Sequence, residues 1–168
     1  MASTDLALRI RPSGSRDLAA VDALLARSYP ALLKADYPPS IMVTAVPLVS
    51  RAQPALITSG TYYVAETEAG EIVGAGGWTP KPRRRGVADI RHVVTDHRRV
   101  RQGIGRRLIT HVLGAAYETG IRSFDCWATR TAVPFYQSLG FVALGPIEVP
   151  LSGGIRFPAI QMQLTTQL

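Results

Sequence analysis

Two glycines and a crowd of arginines at one strand-to-helix junction are the residues whose types and spacing could do chemistry. The stretch Val100-Arg101-Gln102-Gly103-Ile104-Gly105-Arg106-Arg107-Leu108 puts a Gly-x-Gly turn where a strand pattern gives way to a helical one. The first turn of a helix carries N–H groups with no intrahelical partner, and the positive end of the helix dipole. Glycine lets a ligand approach that backbone without a Cβ in the way. The combination is an anion cradle. Arg106 and Arg107 fall in the same turn, where each cation is disfavoured by roughly 0.3–1 kcal/mol. Arg98, Arg99 and Arg101 crowd the same end, and a bound polyanion would offset that repulsion. The competing reading is a tight turn beneath solvated arginines; the coincidence of glycine, arginine and helix start favours the anion site. A P-loop would need Gly-Lys-Ser/Thr, and a dinucleotide fingerprint a third glycine; neither is present. Gly74-Ala75-Gly76-Gly77 does not supply one, because no helix pattern follows it.

The elements that must hold this junction read as follows. Leu6 to Arg11 alternates weakly as a first strand, and Pro12-Ser13 breaks it. Ser15 suits a helix cap with Asp17 in the first turn. Leu18, Val21, Leu24, Leu25 and Ser28 then recur at helical spacing. Residues 29 to 59 hold five prolines and read as short helices and loops. Residues 61–66 and 71–79 form a hairpin about Ala69-Gly70, residues 81–86 a basic loop, and Val87 to Thr95 a strand. From Gly103 the period turns helical, with Ile104, Leu108, Val112, Leu113 and Ala116 along one face and Gly120 as a C-terminal cap. A strand over 121–128, a short helix over 131–138 and strands over 141–149 and 157–164 complete the chain. That order predicts a mixed α/β sheet with helices on its faces.

Composition bounds the rest. The chain has 168 residues, 46% hydrophobic and 18% charged, which predicts one globular domain over 1–168. No apolar run approaches the roughly 20 residues that cross a bilayer. The opening Met1-Ala2-Ser3-Thr4-Asp5 lacks the basic flank and apolar stretch of a secretory signal. One cysteine, Cys126, precludes an internal disulfide framework, so a reducing cytoplasm is expected. Cys126 itself reads as a small buried apolar residue. The net charge is +7, and residues 81 to 107 hold ten of the 19 basic residues against only Asp89 and Asp96. Charge so confined points to a local anion site more than to general solubility.

At this point the sequence resembles the GCN5-related N-acetyltransferase superfamily. Arg101 to Arg106 is similar to the end of that family's pyrophosphate motif, Gln/Arg-x-x-Gly-x-Gly/Ala, with Val100 where the first Gln/Arg stands. Further on, Ala132-Val133-Pro134-Phe135-Tyr136-Gln137-Ser138-Leu139-Gly140-Phe141 matches a second signature, Ala-x-x-Phe/Leu-Tyr-x-x-x-Gly-Phe. Thr129 stands where an asparagine often precedes that alanine. The resemblance is close over residues 60 to 145 and elsewhere rests on element order.

The resemblance implies a mixed, mostly antiparallel sheet splayed between its fourth and fifth strands, with helices on both faces and acetyl-CoA in the gap. Val93, Val94 and Thr95 would then pair with pantetheine as an added strand does. Arg101, Gln102, Gly103, Ile104, Gly105 and Arg106 would take the pyrophosphate, and Thr129 the pantetheine arm. Tyr136 would be the general acid for the departing thiolate; a merely packed aromatic is the competing reading. The base is not fixed by the resemblance: His92, on the face opposite Arg91, is the candidate by its ordinary pKa, a merely structural histidine is the competing reading, and Asp89, Asp125 and Glu66 are weaker candidates. No metal is expected: His92, Asp96 and His97 point apart and lack a fourth ligand.

The acceptor implied is a primary amine on a small molecule or peptide. Tyr29, Tyr37, Tyr62 and Trp78 are candidates to line its pocket or to be core, and Arg83-Arg84-Arg85 would suit an acceptor bearing carboxylate or phosphate. A homodimer is compatible with this reading; a membrane partner is not expected. Two other functions compete. An acetyl-CoA-binding module without turnover would share the cofactor site. A basic nucleic-acid-binding domain would explain the charge, but the basic segment lacks interleaved aromatics and a reader motif.

Overall fold

Strand alternation decides which helix each residue meets. In β2 (Tyr62–Thr67), Tyr62 and Val64 pack toward α1 (Leu18–Leu33), while Tyr63 and Ala65 pack toward α5 (Ile104–Glu118). The computed structural model describes residues 6–166; the opening segment, 1–5, lies outside them. Before β2 the chain runs through β1 (Leu8–Pro12), a 3-10 turn at Ser15–Asp17, α1, and three short helices, α2 (Pro39–Thr44), α3 (Val46–Val49) and α4 (Pro54–Ile57). After it come β3 (Ile72–Pro80), β4 (Val87–Thr95), α5, β5 (Ser123–Ala128), α6 (Val133–Ser138), β6 (Val142–Pro150) and β7 (Arg156–Thr165). The seven strands form one sheet in the order β1-β2-β3-β4-β5-β7-β6, antiparallel except for the β4–β5 pair.

The helical spacing of Val21, Leu24, Leu25 and Ser28 puts all four in the core beneath α1. On the other face Leu108, Ile109 and Val112 of α5 are fully buried, each worth roughly 1.5–3 kcal/mol of apolar transfer. The cap of the first turn differs from the sequence expectation. Gly14 takes the cap position in place of Ser15, and the Asp17 carboxylate accepts from the Gly14 N–H at 2.8 Å. Arg11 clasps the same carboxylate through two N–H groups at 2.9 Å and also binds Glu66 at 2.7 Å.

The glycine run of β3 serves packing. A Cβ on Gly74 would stand 3.0 Å from Ile104 Cγ2 of α5. One on Gly77 would overlap the Thr61 carbonyl and lie 2.6 Å from Tyr62 Cα. Among the described residues, no helix is long and apolar enough to cross a membrane.

Gly77→Ala must move backbone rather than a side-chain tip. It should lower folding stability by about 1–3 kcal/mol, read as a drop in the denaturant midpoint at unchanged slope. An unchanged midpoint would show that β2 and β3 can part at no cost.

Candidate active site

β4 and β5 begin side by side and then separate. Val87, Ala88 and Asp89 pair with Ser123, Phe124 and Asp125. From Ile90 to Thr95 the edge of β4 that faces β5 has no strand partner among the described residues. The separation coincides with a bulge. Ala75 opposes Val94 and Gly77 opposes Arg91, so His92 and Val93 together face Gly76. His92 takes φ 50°, a left-handed conformation that few non-glycine residues adopt. A Cβ on Gly76 would lie 2.9 Å from Val93 Cγ2, so any larger residue opposite the extra one would force Val93 to shift.

The extra residue reverses the faces of β4. Ala88 and Ile90 pack under α5, yet Val94 packs with α1. It also corrects the expectation that His92 and Arg91 lie on opposite faces. Both side chains turn toward the segment after α2: Arg91 Nη2 donates to Gln53 Oε1 at 3.3 Å and His92 Nε2 to the Val49 carbonyl at 2.8 Å. Two buried tyrosines hold the bulge. Tyr62 donates its hydroxyl to the His92 carbonyl, and Tyr29 to the Val93 carbonyl, both at 2.7 Å. Burial pushes both phenols above their ordinary range, so both remain donors.

Two cavities flank this strand. The smaller, about 380 Å³, is lined by Val93, Val94, Thr95, Val100, Arg101, Gly103, Gly105, Arg106 and Phe135. The larger, about 720 Å³, lies over β4 and β5 beneath residues 48–55 and is lined by Asp89, Arg91, His92, Trp127, Leu151 and Phe157 among others. They share Tyr29, Val93, Thr129, Ala132 and Tyr136.

The glycine turn borders the smaller cavity. Gly103 caps α5 at φ 76°, and the first intrahelical bond runs from Arg107 N–H to its carbonyl at 3.1 Å. The N–H groups of Ile104, Gly105 and Arg106 therefore lack helical acceptors. Gly105 is a cavity wall rather than open surface: a Cβ there would stand 3.2 Å from the Phe135 ring and 3.5 Å from Thr95. This cradle fits a phosphate group, and the unpaired edge of β4 continues from it along the same cavity.

The arginine crowd divides. Asp96, wholly buried, accepts from Arg98 Nε at 3.0 Å and Nη2 at 2.8 Å, and from the Arg98 backbone N–H at 3.0 Å. These bonds hold its carboxyl far below the usual range. Arg98 and Arg99 also bind Glu71, and Arg107 donates to the Leu6 carbonyl. Those three arginines anchor the loop and helix. Arg101 and Arg106 line the cavity, Arg106 donating to Ser138 Oγ at 3.1 Å. Gln102 is exposed and Ile104 is buried against Ala65 and Val73.

Tyr136 is buried between the cavities, which pushes its phenol well above the ordinary range. Beside it the Cys126 thiol is pushed up to about 12 by the same burial. Thr129 caps the turn before α6, its Oγ1 accepting from Ala132 N–H at 3.2 Å, which leaves its hydroxyl proton free for another acceptor. Burial lowers the His92 pKa, with Arg91 acting the same way. A carbonyl can only accept, so His92 Nε2 carries the proton and the lone pair of the neutral ring is on Nδ1.

The other candidates lie as follows. Asp89 lines the larger cavity but binds Lys81 at 3.0 Å; Asp125 takes Lys81, Arg84 and Gln163. Glu66 belongs to the Arg11 pair on β2. His97 binds Ser28 of α1. Among the described residues, no three His, Cys, Asp or Glu side chains converge as a metal set would. Of the four aromatic candidates only Tyr29 lines a cavity; Tyr37 stacks on Phe157 and Trp78 is core. The 83–85 loop lines neither cavity, and Arg84 is spent on Asp125. Trp127, 57% exposed in the larger cavity, escaped the sequence reading; its place between buried Cys126 and Ala128 was the available signal.

A family model for the acetyltransferase (GNAT) domain matches residues 43–165. None of the curated proteins matches the sequence significantly. Among solved structures, a GCN5-related N-acetyltransferase from Rhodopseudomonas palustris superposes with a TM-score of 0.78 at 21% identity, over 99% of each chain. Ard1 from Thermoplasma volcanium follows at 0.71 and 19%, over 97% of this chain and all of that one. The PaiA N-acetyltransferase from Thermoplasma acidophilum, in complex with coenzyme A, gives 0.69 at 12% identity, over 96% of this chain and 100% of that one. At these identities the likeness is one of fold. The family model spans most of the chain, so the chain belongs to the GCN5-related N-acetyltransferases, enzymes that move an acetyl group from acetyl-CoA to an amine.

Proposed function

We propose that this single-domain enzyme binds acetyl-CoA in the smaller cavity, receives a primary amine through the larger one, and transfers the acetyl group directly where the two meet. The observation that carries this reading is the shared wall of Tyr29, Val93, Thr129, Ala132 and Tyr136. The N–H groups of Ile104, Gly105 and Arg106, with Arg101 and the Arg106 side chain, hold the pyrophosphate; Gln102 and Gly103 shape the turn. The unpaired edge at Val93, Val94 and Thr95 takes the pantetheine amides, and the Thr129 hydroxyl offers one more donor. Acetyl-CoA supplies an activated thioester. His92 Nδ1 takes the proton from the incoming ammonium, directly or through one water. Tyr136 donates to the departing sulfur. A phenol of raised pKa stays protonated near neutral pH, the form in which it can donate.

The acceptor is a small molecule or a peptide. Every assigned residue comes from one copy of the chain, so the chemistry stands in a monomer as in a homodimer. A lone, buried Cys126 suits the reducing cytoplasm, where we place the enzyme. The larger cavity and the bulged strand have no use in a nucleic-acid binder, which argues against that partner.

Saturation with acetyl-CoA at 100 times its dissociation constant should stabilise the fold by about 2.7 kcal/mol. Gly105→Glu should abolish that stabilisation, because the side chain enters the cavity between Phe135 and Thr95 and brings negative charge. The readout is the melting temperature with and without ligand. Equal values for the wild type would refute the cofactor site, and a full shift in folded Gly105→Glu protein would place the pyrophosphate elsewhere.

The depressed pKa of His92 sets a pH dependence. Burial disfavours the charged ring, so His92 stays neutral, and a base, as pH falls past 6.5 and is lost only below that value. The acid limb of the kcat/KM profile should therefore have its midpoint below 6.5 and should disappear in His92→Gln. Persistence of the limb in the variant would remove His92 as the base.

A further inference from the structure

The geometry points to an amine that also carries a carboxylate, attached to an apolar body, as the acceptor class; this rests on the transferase reading above. Charge in the larger cavity is the first ground. Its lining holds two guanidinium groups, Arg51 and Arg91, and one carboxylate, Asp89. Asp89 is already answered by Lys81 at 3.0 Å, so it has little left for a cationic acceptor. Arg91 has no carboxylate within ion-pair distance among the described residues.

Arg91 is also held ready. Its Nη1 donates to Thr79 Oγ1 at 3.1 Å and its Nη2 to Gln53 Oε1 at 3.3 Å. Both partners are neutral, so they orient the fork without cancelling its charge. Five N–H donors less these two leaves three, enough for a carboxylate to bind through two of them. The bulge places Arg91 beside His92 on the same face of β4. An anion bound by Arg91 therefore brings an amine a few atoms away to the side of the base.

The remaining walls are apolar. Trp127 presents an exposed ring from β5, and Val149, Leu151 and Phe157 close the cavity from the β6 and β7 side. A polyamine would find a net positive cavity with oily walls. An amino acid with a hydrophobic side chain finds an anion anchor, an apolar surface and a base.

The test pairs L-phenylalanine and L-leucine with their amides, with spermidine as the cationic probe. Binding to CoA-saturated protein is read by calorimetry, and turnover with acetyl-CoA as kcat/KM. The free acids should bind and react about 10- to 100-fold better than the amides, as expected for a charged hydrogen-bonded anchor. Arg91→Gln should remove most of that ratio and Arg91→Lys only part of it, with acetyl-CoA stabilisation retained in both as the check on folding. Failure of both acids to bind, equal or tighter binding of amides or spermidine, or an acid-to-amide ratio intact in folded Arg91→Gln protein would overturn the inference. Acid-selective, Arg91-dependent binding without turnover of any amine would uphold it and refute the transferase reading instead.

Discussion

One extra residue in β4 is the constraint on which the rest of the site depends. A bulge bends its strand and increases the local twist. Here it lies just past the last residue pair that joins β4 to β5. Upstream, β4 is an ordinary central strand. Downstream its faces are reversed and its edge is free. The reversal sends Val94 into the α1 core and turns Arg91 and His92 together into the larger cavity. Holding His92 at φ 50° costs of order 1–3 kcal/mol. The phenols of Tyr29 and Tyr62, each bonded to a bulge carbonyl, return part of that.

Burial does the chemical tuning, and it acts on each group according to the charge that group would carry. The imidazole of His92 is kept neutral, whereas the phenol of Tyr136 is kept protonated. Those are the forms that the proposed base and acid require near neutral pH. Electrostatic anchoring does a different task at the end of β4. Asp96 gathers Arg98 and Arg27, caps the 3-10 turn at His97–Arg99, and aims the loop that leads to Gly103. Arginines that looked like phosphate ligands are in part the scaffold of the cradle.

Element order and the two motifs were legible in the sequence because each rests on local patterns. Val87–Thr95 was read with the bounds it has, and the helix from Gly103 starts one residue later, at Ile104. What was not legible depends on partners remote in sequence. No residue type near His92 marks a bulge; the glycine opposite it, Gly76, sits 16 positions upstream within a strand pattern over 71–79. Arg98 could not be told from Arg101 without seeing Glu71 and Asp96 close on it. The basic loop at 83–85 suggested an acceptor anchor, but Asp125 on β5 draws Arg84 away, and the guanidinium groups that line the larger cavity are Arg51 and Arg91.

The claim that donor and acceptor meet at Tyr136 is tested most directly by removing one oxygen. Tyr136→Phe keeps the ring that packs on Phe135 and Phe141 and deletes only the proton donor. Turnover of an accepted amine should fall roughly 10- to 100-fold, the low end for a positioned acid because a thiolate leaves fairly well unaided. The acetyl-CoA dissociation constant should stay within about twofold, since the cradle and the edge of β4 are untouched. Unchanged turnover at unchanged affinity would contradict the account.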